Sequence, residues 1–265
     1  MSRLRATLTE WRGLARSLLL YHGNRARHRA MDALYRRFLA AGDLAFDIGA
    51  HVGDRTSSFR RLGARVVAVE PQPGPMRLLR LIHGRDRNVT LVEAAVGAAE
   101  GYVTLHVNSA NPTVSSASGT FLAAAREADG WRDQHWDHTL TVAMTTLDVL
   151  IARHGMPAFA KIDVEGFEDA VLAGLSQPLP ALSFEFTTIA REVAMRCLDR
   201  LAALGPYRFN LSLGEEQRLV FPEPVCAEAM RDHLATLPLR ANSGDVYATL
   251  AATGPRAAQN SIFTG

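Results

Sequence analysis

The chain has 265 residues, 48% hydrophobic and 21% charged, with a formal net charge of +2 at pH 7. That is enough for one large α/β domain with its own core, too little for two domains with linkers, and unlike a collagenous, disordered or disulfide-rich composition. Cys197 and Cys226 lack metal-site spacing, no apolar run approaches the roughly 20 residues of a membrane span, and the N-terminus has no secretory pattern, so a reducing, cytoplasmic setting without nucleic acid is expected.

The charge is uneven. Residues 1–40 carry nine arginines against Glu10 and Asp32, which leaves the remainder net acidic. Thr7 and Glu10 have capping-box spacing, and Leu8, Trp11, Leu14, Ala15 and Leu18 recur at helical intervals, predicting an amphipathic helix over 7–20. A second helix is predicted over 27–41, with Met31, Leu34, Tyr35 and Phe38 on one face and Gly42 as its cap. The plain reading of this basic extension, residues 1–41, is packing on the sheet domain or on a second subunit in a homodimer. The sharper one is peripheral contact with an acidic membrane surface, a glycan-lipid or an acidic substrate.

Leu44 to Ile48 reads as a buried strand that runs into a glycine-bearing turn, Gly49-Ala50-His51-Val52-Gly53, and then a helix from Thr56 to Leu62. Asp47 lies near the strand's C-terminal end, the ligand-binding edge of an α/β sheet, and Gly49 and Gly53 let backbone approach a ligand. The next strand, Arg65 to Val69, ends in Glu70 and Pro71. An acidic residue about 20 positions after the turn is where such folds hold the two hydroxyls of a ribose. The glycines are spaced Gly-x-x-x-Gly, whereas the dinucleotide fingerprint is Gly-x-Gly-x-x-Gly. A nucleoside without phosphate but with a charged amino-acid tail suits Asp47 and Glu70 better, and S-adenosylmethionine fits that description.

A helix around Pro75 to His83 and a strand over Val89 to Val92 follow, and the small Ala94 and Ala95 at its tip leave room for adenine. Gly101 to Val107 alternates like an antiparallel edge strand added to the sheet. The serine-rich stretch 108–120 and the aperiodic stretch 121–138, with Trp131, His135, Trp136 and His138, predict a substrate-covering loop, although tryptophans are more often core. The histidine pair is weak as a metal motif. A short strand over Val142 to Thr145 and a helix from Thr146 to about Gly155 lead into Lys161-Ile162-Asp163-Val164-Glu165-Gly166. Lys161 is the chain's only lysine among 29 basic residues, and in an extended chain it shares a side with Asp163. A surface ion-pair turn is the bland alternative, but three ionisable groups beside a cofactor cleft point to chemistry. Glu185 sits near the tip of a fifth strand, Leu182 to Thr187, so four strands end in an acid. A helix over 191–204, strands over 207–213 and 245–250, a short helix around 226–237 and a frayed tail, 251–265, complete the prediction.

The motifs Phe46 to Gly53, Val69-Glu70-Pro71, Thr145 to Asp148 and, most specifically, Lys161 to Gly166 together resemble the FkbM family of S-adenosylmethionine-dependent methyltransferases. The resemblance spans about Asp43 to Thr187 and implies a Rossmann-like class I methyltransferase domain, drawn here as 42–250: a doubly wound, mostly parallel seven-stranded sheet. It further implies O-methylation of a hydroxyl on a sugar or glycan, polyketide or similar metabolite. On that basis Asp47, Gly49, His51, Gly53, Glu70, Pro71, Ala94, Ala95 and Asp163 are expected around the cofactor. Lys161, Asp163, Glu165 and Glu185 are the expected catalytic groups. Asp163 or Glu165 would take the hydroxyl proton while Lys161 holds the alkoxide or tunes the carboxylates. Alternatively, Asp163 and Glu185 hold Mg²⁺. A binding or scaffold protein on the same fold, and a nicotinamide-dependent oxidoreductase, are the competing classes.

Overall fold

The computed structural model describes residues 13, 14, 16 and 24–251. A first helix, α1 (Arg25–Tyr35), precedes β1 (Leu44–Ile48), α2 (Asp54–Arg61), β2 (Arg65–Val69), α3 (Pro73–His83) and β3 (Val89–Val92). Then come β4 (Ala95–Val96), β5 (Gly101–Val107), α4 (Gly119–Glu127), β6 (His138–Thr145), α5 (Leu147–His154), β7 (Phe159–Ile162) and α6 (Glu168–Ala173). The chain continues through β8 (Ala181–Thr187), α7 (Arg191–Leu204), β9 (Tyr207–Leu213), α8 (Ala227–Thr236) and β10 (Ser243–Leu250). The main sheet has seven strands in the order β3-β2-β1-β7-β8-β10-β9, parallel except for β10, which runs antiparallel between β8 and β9. This is the doubly wound sheet expected from the alternating strand and helix pattern.

Strand alternation sorts the core into two faces. Ala45 and Phe159 pack with Met31, Leu34, Tyr35, Phe59 and Tyr247 on one side, while Phe46, Ile48, Ile162, Leu182 and Phe184 face the other. The charged positions follow the same rule. Asp47 pairs in register with Lys161, Lys161 with Ser183, and Asp245 with Glu185, so the polar groups are gathered toward the face that α1 covers.

Several boundaries differ from the sequence reading. Asn24 caps α1 through Oδ1, accepting from Ala26 and Arg27, so the helix starts at Arg25. It ends at Tyr35, because the chain then turns to stack Phe38 on Phe159 and Tyr247, ring centroids 5.0 and 5.5 Å apart. Gly42 (φ +90°) is therefore not its cap but lies in the turn into β1, its N–H donating to Gly63. β5 is not an edge of the main sheet. It pairs with β6, twice the predicted length, and with β4 these form a separate three-stranded sheet. Within the aperiodic stretch, Ser118 caps α4, and Phe121 meets Trp131 edge-to-face at 5.3 Å. The helix predicted over 7–20 and the tail 251–265 lie outside the described residues, except for the helical Gly13, Leu14 and Arg16 and for Ala251. Among the described residues, no helix is long and apolar enough to cross a membrane.

Candidate active site

The turn after β1 is glycine-bearing for reasons of close packing. Gly49 has φ +81°, and a Cβ there would stand 1.8 Å from the carbonyl oxygen of Asp163. Gly53, at φ +79°, would press a Cβ against Leu79 and His83 of α3. At both glycines the direction a side chain would take is occupied by protein, while the backbone of Gly49 still lines a cavity. The two glycines draw the β1 turn against the end of β7 and onto α3, which brings the two motif-bearing strand ends together.

The cavity opens at this turn, lined by Asp47, Gly49, His51, Glu70, Pro71, Ala94 and Ala95 and also by Asp163 and Glu165. Glu70 is buried and braces two turns, Oε2 accepting from the His51 N–H at 2.9 Å and Oε1 from the Gln72 N–H at 2.8 Å. Burial pushes its pKa up to about 7 despite those donors. Asp47, also buried, accepts from Thr56 Oγ1 at 2.5 Å, and burial raises it to about 6. Burial lowers His51 to about 4, so its ring is neutral at pH 7. Each carboxylate retains acceptor capacity beyond these bonds. Buried acids together with small apolar side chains in one cavity match a nucleoside with an ionic tail, and so fit S-adenosylmethionine.

Lys161 is fully buried between two aspartates, its Nζ 3.0 Å from Asp163 Oδ2 and 2.8 Å from Asp245 Oδ1. Burial alone would lower its pKa, but Asp163 and Asp245 outweigh that and hold it well above the usual value. In turn, Lys161 offsets the burial of Asp163 and keeps that carboxyl below its usual range. The carboxyls of Asp163, Glu165 and Glu185 converge, with one oxygen of each within 4.8 Å of the others. At that separation two carboxylates repel by about 3.5 kcal/mol at an effective dielectric of ~20. Burial, and after it the Asp163 charge, push Glu165 and Glu185 well above the normal range. Glu165 is 8% exposed, sits at φ +54° and receives no hydrogen bond on its carboxylate from a described residue. Glu185 Oε2 is likewise buried without a hydrogen-bond partner among the described residues.

A second cavity of about 300 Å³ adjoins the first, walled by Arg16, Asn111, Trp131, Glu185, Thr187 and Asn242. Thr113, Glu165 and Glu215 line both. His51, Glu165 and Asn242, three of the four non-glycine residues at positive φ among the described residues, border these cavities. The fourth, Gln217, hydrogen-bonds Glu215 at 2.9 Å. Backbone held in such conformations concentrates where side chains are aimed for use.

Sequence reasoning missed several participants. Asp245 was read as the first residue of a strand; its signal was a lone charge in an otherwise apolar run. Arg55 pairs with Asp54 at 2.5 Å and with both oxygens of Glu215, at 3.0 and 3.2 Å, and Arg27 of α1 reaches the same two acids at 3.2 and 2.9 Å. This network ties the N-terminal helix to the cavity wall, and nothing local in the sequence announces it. Glu168 accepts from the Val164 and Gly166 N–H groups and so fixes the loop that carries Glu165. His135 and His138 are not part of the one potential metal-ligating group found among the described residues.

Residues 47–209 match the methyltransferase FkbM domain family. The chain belongs to that family. Its members are S-adenosylmethionine-dependent methyltransferases, and the matched segment runs from Asp47 into β9, taking in both cavities' acidic residues up to Glu185. No curated protein sequence matches the chain. Among solved structures, precorrin-6y C5,15-methyltransferase from Geobacter metallireducens is 15% identical, covering 84% of this chain and 87% of its own, at TM-score 0.41. A TehB-like SAM-dependent methyltransferase from Corynebacterium glutamicum is 10% identical over 92% and 99% of the two chains, at 0.46. A SAM-dependent O-methyltransferase from Thermotoga maritima is 12% identical; the alignment covers 84% of this chain and only 65% of that one, at 0.42. Membership rests on the family match.

Proposed function

We propose that this FkbM-family protein methylates a hydroxyl oxygen of a sugar or glycan, polyketide or related metabolite. The observation that carries the reading is a junction: Glu165, flanked by Asp163 and Glu185, borders both the cavity beneath Glu70 and the cavity walled by Trp131. When bound, S-adenosylmethionine supplies a methyl group on a positively charged sulfur, an electrophile that needs no further activation. Glu70 would accept from the ribose hydroxyls, Asp47 and the turn backbone would meet the amino-acid end, and Ala94, Ala95 and Pro71, which line the same cavity, would border the adenine. His51, neutral at pH 7, lines the cofactor cavity and not the acceptor's.

An alcohol is a poor nucleophile until its proton is removed. Asp163, held below its normal range by Lys161, is the weaker base; Glu165, raised by burial and lacking a competing donor, is the stronger. Glu165 would take the O–H proton of the acceptor hydroxyl, for which a bound cofactor would supply the methyl group. Lys161 does not touch the oxygen: fully buried, it positions Asp163. Alignment of the two cavities supplies much of the rate, since orientation alone is worth ~7–11 kcal/mol.

The test is calorimetric titration with S-adenosylmethionine and S-adenosylhomocysteine, followed by transfer of labelled methyl to a panel of sugars and polyketide alcohols. Binding should be lost in Glu70→Ala. Glu165→Gln should bind S-adenosylhomocysteine as the wild type does and lose about 100-fold or more in turnover. Failure of the wild type to bind either compound would refute the reading.

A further inference from the structure

We infer that Asp163, Glu165 and Glu185 form a divalent-cation site at the boundary between the cofactor and acceptor cavities. The inference rests on the same reading of the site as the place where the acceptor hydroxyl is activated. Three carboxylates from two adjacent strand ends, β7 and β8, each present one oxygen within 4.8 Å of the others. Oxygens opposite one another on Ca²⁺ are about 4.6–5.2 Å apart, and on Mg²⁺ about 4.0–4.2 Å, twice their ordinary bond lengths. The three side chains can therefore close on one hard cation with little or no movement.

Independently of the clustering, Glu165 is more than nine-tenths buried, points into the group, and has no hydrogen-bond donor on its carboxylate among the described residues. Buried carboxylates ordinarily have such donors. Glu168 next to it shows the contrast, with two backbone N–H groups on its carboxylate. Glu185 adds an oxygen that is buried and unpartnered. The one lysine, Lys161, pairs with Asp163 of the cluster and with Asp245 outside it, and its ammonium hydrogen-bonds neither Glu165 nor Glu185. What the cluster lacks is a compact positive charge that takes several oxygens at once, which is how a hard divalent cation binds.

The position also has a use. A hydroxyl entering from the Trp131 side and binding the cation would become more acidic. The same cation would favour the ionised form of Glu165 next to it, so that the carboxylate would be available to accept the proton of a hydroxyl the cation had made more acidic.

Mn²⁺ binding to the metal-free full chain, followed by electron paramagnetic resonance and competed with Mg²⁺ and Ca²⁺, tests the site without any acceptor. One saturable site is expected, weakened at least tenfold in Glu185→Gln and in Glu165→Gln, both confirmed as folded by circular dichroism. Absence of saturable binding in the wild type, or wild-type affinity in both variants, overturns the proposal. Titration of S-adenosylhomocysteine with chelator present separates the two readings. Cofactor binding without Mn²⁺ binding removes the cation site and leaves the methyltransferase reading, whereas Mn²⁺ binding without cofactor binding does the reverse.

Discussion

Glu70 is the residue whose ionisation is most open to measurement. Its carboxyl titrates near pH 7 in the folded protein because it is buried, while its two backbone donors moderate that shift. Two ribose hydroxyls can both donate only to the ionised form. Cofactor affinity should therefore fall as pH drops through about 7, by up to about tenfold per pH unit, and binding below that point should release a proton. Titration of S-adenosylhomocysteine from pH 5.5 to 8.5 in buffers of different ionisation enthalpy would measure both. A flat profile would show that Glu70 is already ionised or does not face the ribose. The stability effect has the opposite sign. With a folded pKa above the unfolded value, the native state keeps a proton that the unfolded chain has lost, so the cofactor-free protein loses stability as pH rises from about 4.5 to 7.

At the scale of elements, the β1 turn depends on contact with the end of β7. Gly49→Ala would place a methyl group 1.8 Å from the Asp163 carbonyl and add the strain of a positive φ. The clash is with backbone and cannot be relieved by a rotamer, so a loss of about 3 kcal/mol or more is expected. Gly42→Ala is the control, since φ is also positive there but nothing lies within 4 Å of the added carbon. It should cost only the backbone term, about 1–2 kcal/mol. Urea unfolding of the pair decides the matter, and equal losses would mean that the close approach is not a determinant. The main elements were legible from alternation and apolar runs: β1, β2, β3, α7 and β9 have the bounds read from the sequence. The second sheet was not, because β5 reads like any edge strand, and whether it joins the main sheet or β6 depends on where distant β6 lies.

For the whole molecule, the buried Lys161 joins β7 to β10 across β8 through Asp245. Lys161→Met would leave two aspartates without their cation, one of them almost fully buried. Removing one partner of a buried pair costs about 3–5 kcal/mol, and the partial exposure of Asp163 places this case toward the lower figure. Without Lys161, burial would raise the Asp163 carboxyl in the folded state, so the variant should regain stability as pH is lowered, and adding Asp245→Asn, which removes the more buried of the two acids, should recover part of the loss at pH 7. Thermal melts of the single and double variants from pH 5 to 8 would check this. Wild-type melting of Lys161→Met would mean that the pair behaves like an exposed one.

The sequence alone determined the alternation that builds the sheet, the acids at four strand ends and the family motifs, because each is written within a few consecutive residues. Lys161 and Asp163 could be placed side by side from strand geometry alone. Only the tertiary structure decided that Lys161 is enclosed by Asp245, more than 80 positions away, that Arg27 and Arg55 share Asp54 and Glu215, and that the Gly49 space belongs to Asp163. Local spacing carries no information about partners brought together by strand order. The arrangement of charges at this site follows from β10 inserting between β8 and β9.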